Sequence, residues 1–227
     1  MDAGYPDPQP GVSFFERDPL SNEPLGTGRE KAGQHIQAAF VPGDKLAYER
    51  RFSDWLPRAA AAGLTGVFDA WAGAPTEQDA YTIWQAFGAS GELTLRIFGS
   101  VREVDSADVI ASRFKAYSET YASDMVRPEA IKLAADGVPE GHTAFLLTPY
   151  VDSTNEDFGQ PMISKADLTT NITTYFSHNI PVHIHAIGGA AVRMSLDAIE
   201  IARNETGNQA VRATIAHMDF VHPDDIP

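Results

Sequence analysis

Two histidines stand two residues apart in the run Pro181-Val182-His183-Ile184-His185-Ala186-Ile187-Gly188-Gly189. In an extended strand alternate side chains share a face, so both imidazoles point one way while Val182 and Ile184 point the other. A buried strand fills such positions more cheaply with hydrocarbon. A second strand-like run, Val211-Arg212-Ala213-Thr214-Ile215-Ala216-His217, also ends in histidine, and alternation puts Val211, Ala213 and Ile215 on the imidazole's face. Two neighbouring strands that end in histidine have the geometry of a metal site at the mouth of a barrel.

Lys132 joins them, in Ala130-Ile131-Lys132-Leu133-Ala134-Ala135-Asp136-Gly137. A lysine buried as a cation among alanine, isoleucine and leucine forfeits its hydration, so it must lower its pKa or change its chemistry. A neutral amine can take up carbon dioxide as a carbamate, which then serves as a carboxylate bridge between two divalent ions. Lys132, His185 and His217 fall at the C-terminal ends of three predicted strands, the end where barrels place their chemistry. Such a set holds zinc or another divalent metal, as one or two ions, which acidifies bound water and polarises a carbonyl. The plainer alternatives are packed histidines bonded to backbone and an edge lysine that reaches solvent. Asp136 and Tyr150 fall at the expected mouth, within reach of a small-molecule substrate. His183, two residues deeper than His185, either lines that substrate site or supports the ligand histidine. Arg96, inside a predicted strand, implies an ion pair within the barrel or with substrate.

The elements that must position these groups alternate in type. Leu64–Asp69, Leu93–Phe98, Ala130–Gly137, the histidine run and Val211–His217 read as strands. Between them lie helical patterns: Thr76 and Asp79 start one with Ala80, Ile83, Trp84 and Phe87 on a side, and another begins near Asp105 with Ile110, Phe114, Tyr117 and Tyr121. A third carries Leu168, Ile172 and Phe176, and a fourth runs from about Ala190 to Arg203, with Gly207 as its stop. Near-continuous apolar strands separated by helices require a parallel sheet buried on both faces, either an open doubly wound sheet or a barrel. Residues 1–45, rich in Gly, Pro and Asp, read as a loop-and-hairpin segment running from Gly11–Phe15 through Asp18-Pro19 and Asn22-Glu23-Pro24. Residues 46–227 read as the barrel portion.

Composition narrows the partners. Seventeen basic against 31 acidic residues give a net charge of −14, which repels nucleic acid and anionic membrane. No stretch approaches the ~20 apolar residues of a membrane-spanning helix. The chain has no cysteine, so thiolate ligands, disulfides and a cysteine nucleophile are excluded. The compartment stays open, with the cytoplasm marginally favoured, and a homo-oligomer is compatible with the sequence. The natural start is expected to lie upstream of Met1.

The runs around Lys132, His183-Ile184-His185 and Ile215-Ala216-His217, in this order and at these distances, resemble the amidohydrolase superfamily. More narrowly they are similar to its family 3, which includes N-substituted formamide deformylases and proteins labelled exoenzyme regulatory proteins. Ala62–Val67, Thr148-Pro149-Tyr150 and Leu196–Glu200 extend the likeness. The resemblance implies a metal-dependent hydrolase acting on amide-like, non-peptide C–N bonds. Lys132 would match the carboxylated bridging lysine of the fourth barrel strand, His185 the ligand of the fifth and His217 that of the sixth. It implies an α/β fold, a partial TIM-like (β/α) barrel of about strands 2 to 6 of 8. The first strand with its His-x-His pair, the last two strands with the proton-accepting aspartate, and the accompanying β-sandwich have no counterpart in the sequence. An internal fragment of this kind is expected to be inactive and to hold its metal incompletely or not at all. Gly189 stands where the family usually has a polar residue. Two other readings are a non-catalytic barrel relative that binds a small molecule or regulates another protein, and an open-sheet domain with a ligand at a switch point.

Overall fold

In the computed structural model of the chain, residues 15–28, 32, 44–73, 76–153 and 156–226 are described. The part of the expected hairpin at residues 11–14 lies outside them. What is described is an antiparallel pair, β1 (Phe15–Arg17) and β2 (Pro24–Gly28). Asp18 shapes its turn: Oδ1 accepts from Leu20 N and Ser21 N at 2.9 and 2.8 Å, the turn chemistry that the Asp-Pro and Asn-Glu-Pro signals anticipated.

The main sheet is α/β and parallel. Its strands are β3 (Gly66–Asp69), β4 (Arg96–Arg102), β5 (Val126–Ala134), β6 (Val182–Ala186) and β7 (Ala213–His217). They pair in strict sequence order as a curled half-barrel, the partial TIM-like barrel expected. Strands that follow one another around a curve leave no switch point among the described residues, which removes the open-sheet reading. The helices are α1 (Lys45–Ala61), α2 (Glu77–Ser90), α3 (Ala107–Tyr121), α4 (Lys165–Ser177) and α5 (Gly189–Thr206).

Local chemistry starts the helices. Thr76 Oγ1 accepts from Asp79 N at 3.1 Å, and Ser164 does the same for Asp167 N at 3.0 Å. Helix α1 has no counterpart among the expected elements; Asp44 caps it, and Phe52, Leu56 and Ala59 form its buried stripe. Two strands are displaced from expectation. Strand β4 begins at Arg96, not Leu93, because Leu93 N still bonds Phe87 O in the turn that ends α2. Strand β5 begins at Val126, not Ala130, since Pro128 sits beside a register shift where a missing N–H is tolerated.

The helices cover one face. Leu168, Ile172, Tyr175 and Phe176 of α4 are fully buried with Ile131, Leu133 and Ile184 of the sheet, each contributing on the order of 1.5–3 kcal/mol. An aromatic cluster of Phe52, Tyr81, Trp84 and Phe87 does the same behind β3 and β4. The opposite face carries Phe68, Lys132, His183 and His185.

Candidate metal centre

Register brings the basic residues together. Lys132 is the Cα partner of His183, and Ala134 that of His185, so Lys132 and both β6 imidazoles emerge on one face in two adjacent layers. Lys132 Nζ lies 3.2 Å from His183 Nδ1, and the Phe68 ring packs 4.8 Å from the His183 ring. One layer nearer the strand ends, the rings of His185 and His217 stand 4.5 Å apart, edge to face.

His217 reaches that position against strand alternation. Its Cα partner is Ala186, and its expected face-mates Ala213 and Ile215 pack into the helix-side core with Ile184. A regular strand would send the imidazole there too. The backbone instead turns left-handed at His217 (φ 80°) and Met218 (φ 57°), which brings the ring to His185. The shared face of Ile215 and His217 is therefore corrected by a corner of about 1–3 kcal/mol of strain.

Burial disfavours the charged forms of Lys132, His183 and His217, and neighbouring positive charge adds to it for the two histidines. Desolvation draws Lys132 down to about 8. Desolvation, then the Lys132 charge, draws His183 down to about 4. His217 is lowered by burial first, with His185 and Lys132 adding. The His183 and His217 imidazoles are thus neutral at pH 7 and carry lone pairs.

Asp136 is a carboxylate close to His185, and it is committed elsewhere. Its side chain is fully buried; Oδ1 accepts from Ile187 N at 3.0 Å, and Oδ2 from Gly188 N at 2.8 Å and Phe145 N at 2.9 Å. The next residue, Gly137, offers its carbonyl to His185 Nε2 at 2.9 Å. A carbonyl only accepts, so Nε2 bears the hydrogen and Nδ1 is the free donor atom of that ring. Tyr150 points away: its hydroxyl donates to Ala144 O at 2.9 Å and its ring stacks on His142 at 4.3 Å. Its apolar surroundings, Leu146, Leu147, Pro149 and Phe220, border a cavity of about 550 Å³. On the inner face His183 lines a second cavity of about 340 Å³ with Phe68, Phe98 and Thr214. Arg96 opens β4 at an exposed position with no carboxylate partner among the described residues; Glu129 is paired with Arg127 and Arg212 instead.

Among the described residues no three His, Cys, Asp or Glu side chains converge to hold a metal by themselves. The donor set of His185, His217 and Lys132 nonetheless fits a divalent ion in kind: imidazoles next to an amine whose charged form burial disfavours. Sequence reasoning missed the direct Lys132–His183 contact and the engagement of Asp136 with three backbone amides, because both depend on register and on loops far apart in the chain.

This chain belongs to the Amidohydrolase family, whose sequence pattern matches residues 2–227. Exoenzymes regulatory protein AepA of Pectobacterium carotovorum subsp. carotovorum is 27% identical over 228 residues, covering 100% of this chain and 47% of that protein. Two solved structures share the fold. An uncharacterized metal-dependent hydrolase from Pyrococcus furiosus aligns with TM-score 0.60 and 20% identity, over 78% of this chain and 36% of that one. Its counterpart from Pyrococcus horikoshii OT3 aligns with TM-score 0.59 and 19% identity, over 82% and 37%. The chain therefore spans about half the length of the curated relative. No helix among the described residues is long and apolar enough to cross a membrane.

Proposed function

We propose that these five strands form the middle of a metal-dependent amidohydrolase barrel that hydrolyses a non-peptide C–N bond of a small amide, formamide or cyclic ureide. The observation that carries it is the meeting of His185 and His217 at 4.5 Å, beside the Lys132–His183 pair at 3.2 Å, on the open face of the sheet. His185 offers Nδ1, His217 stands opposite on its left-handed corner, and Lys132 is held by His183 one layer below. His185, His217 and Lys132 would hold a divalent ion, zinc or a similar one, which when bound would supply Lewis acidity, acidifying water toward a pKa of ~7 and polarising a carbonyl. Asp136 is engaged by three amides and is no base for that water. The 227 residues alone are accordingly expected to bind and not to turn over.

The test is Zn²⁺ titration by calorimetry of the chain and of H185A and H217A, with hydrolysis of an amide panel measured on a protein that also carries the flanking segments. Each substitution is expected to weaken Zn²⁺ binding at least tenfold. Unchanged binding in both variants would end the reading. The name of the AepA relative favours a second one, a non-catalytic regulatory protein that binds a small molecule. It is selected if the longer protein binds metal and small amides and hydrolyses none.

A further inference from the structure

We infer that Asp136 is a positioning residue, whose buried carboxylate fixes the tautomer and direction of the His185 ring. Three amides from two segments converge on it: Phe145 from the connection that leaves β5, and Ile187 and Gly188 from the turn that leaves β6. That turn begins two residues after His185, so anchoring it anchors the end of the histidine strand. Hydrogen bonds to a carboxylate are roughly twice as strong as neutral ones, which suits a clamp.

The clamp has no slack. Gly137 N and Val138 N bond Thr143 O and Thr143 Oγ1, both at 2.9 Å, strapping 143–145 along 136–138. Phe145 O in turn accepts from Ala190 N and Ala191 N at 3.1 and 3.2 Å, at the start of α5. A Cβ at Gly188 would lie 2.0 Å from Phe145 O, and one at Gly137 would lie 2.1 Å from Thr143 Oγ1. The Gly137 carbonyl is thereby held on the Nε2 side of His185. Asp136 Oδ1, at 3.7 Å from the same Nε2, is too far for a hydrogen bond, yet its negative charge favours a hydrogen there. Carbonyl and carboxylate act together to keep Nε2 protonated and leave the Nδ1 lone pair to a ligand, the support that ligand histidines require.

The experiment uses the metal-free 227-residue chain with ¹⁵N-labelled histidine rings, the His185 signals being assigned by their loss in H185Q. Long-range ¹H–¹⁵N spectra above pH 7.5 are expected to show His185 as the Nε2–H tautomer alone. D136N, which keeps the size and loses one acceptor, is expected to give a mixed or averaged tautomer with an unchanged circular dichroism spectrum and an unaltered His183 signal. Its Zn²⁺ affinity should fall about 10–100-fold. A folded D136N that keeps the Nε2–H tautomer and wild-type Zn²⁺ affinity overturns the inference. Should D136N fail to fold, the wild-type spectrum decides, because a protonated Nδ1 on His185 overturns it directly. The metal arm rests on the hydrolase reading, whereas the tautomer does not. A chain that binds no Zn²⁺ but shows the Nε2–H tautomer counts against the hydrolase and supports the positioning role.

Discussion

The two faces of β6 differ sharply. Val182, Ile184 and Ala186 are 1%, 0% and 0% exposed beneath α4 and α5, whereas the intervening His183 and His185 are only half-buried. One face is closed by helices whose side chains fill it. The other is lined by bases, and Phe68 remains 37% exposed beside them. Free energy of folding is concentrated behind the sheet and chemistry in front of it, so changes on the two faces should separate in experiment.

The largest expected effect lies behind the sheet. F176A should lose about 3–5 kcal/mol in urea unfolding, with Zn²⁺ affinity of the remaining folded protein unchanged. A large loss of affinity would show that the faces are coupled. Gly188 is where coupling is expected: G188A drives a methyl into the Phe145 carbonyl, and should cost about 1–3 kcal/mol and weaken Zn²⁺ binding together. His217 gives the opposite signature. H217G relieves a positive φ and should be about 1 kcal/mol more stable than H217A by thermal unfolding, while both lose metal affinity.

The smallest effect concerns Glu103, which accepts from Asn171 Nδ2 at 2.6 Å and Tyr175 Oη at 3.0 Å. Burial raises its pKa despite these two hydrogen bonds. The folded state thus holds the proton more tightly than the unfolded one, and this contribution to stability, full below the ordinary carboxylate value, is lost as pH rises through the raised value. Relative to E103Q, the wild type should lose about 1 kcal/mol or less between pH 4 and pH 7 in urea unfolding. No change in that difference would mean that the carboxylate is solvated.

The sequence made the framework legible because alternating strands and amphipathic helices leave periodic marks, and Thr76 and Gly207 punctuate them. Helix α1 escaped because its stripe of Phe52, Leu56 and Ala59 is narrow, is set among charged residues, and is interrupted by Pro57. Pro128 hid the start of β5 by looking like a break. At the centre, residue types named Lys132, His185 and His217, but alternation put His217 on the wrong face, since a left-handed corner has no periodic signature. The pairing of Lys132 with His183 needed the offset between two strands. The role of Asp136 needed three amides supplied by residues nine to fifty-two positions away.

The missing methyl groups at Gly137 and Gly188 have a bearing on how this protein tolerates change over time. Neither position has a side chain to offer, yet each is flush against a neighbouring segment. A drifting population should discard side chains there as strictly as it discards replacements of the imidazoles, and any descendant that accepts one must first have rerouted Thr143 to Phe145.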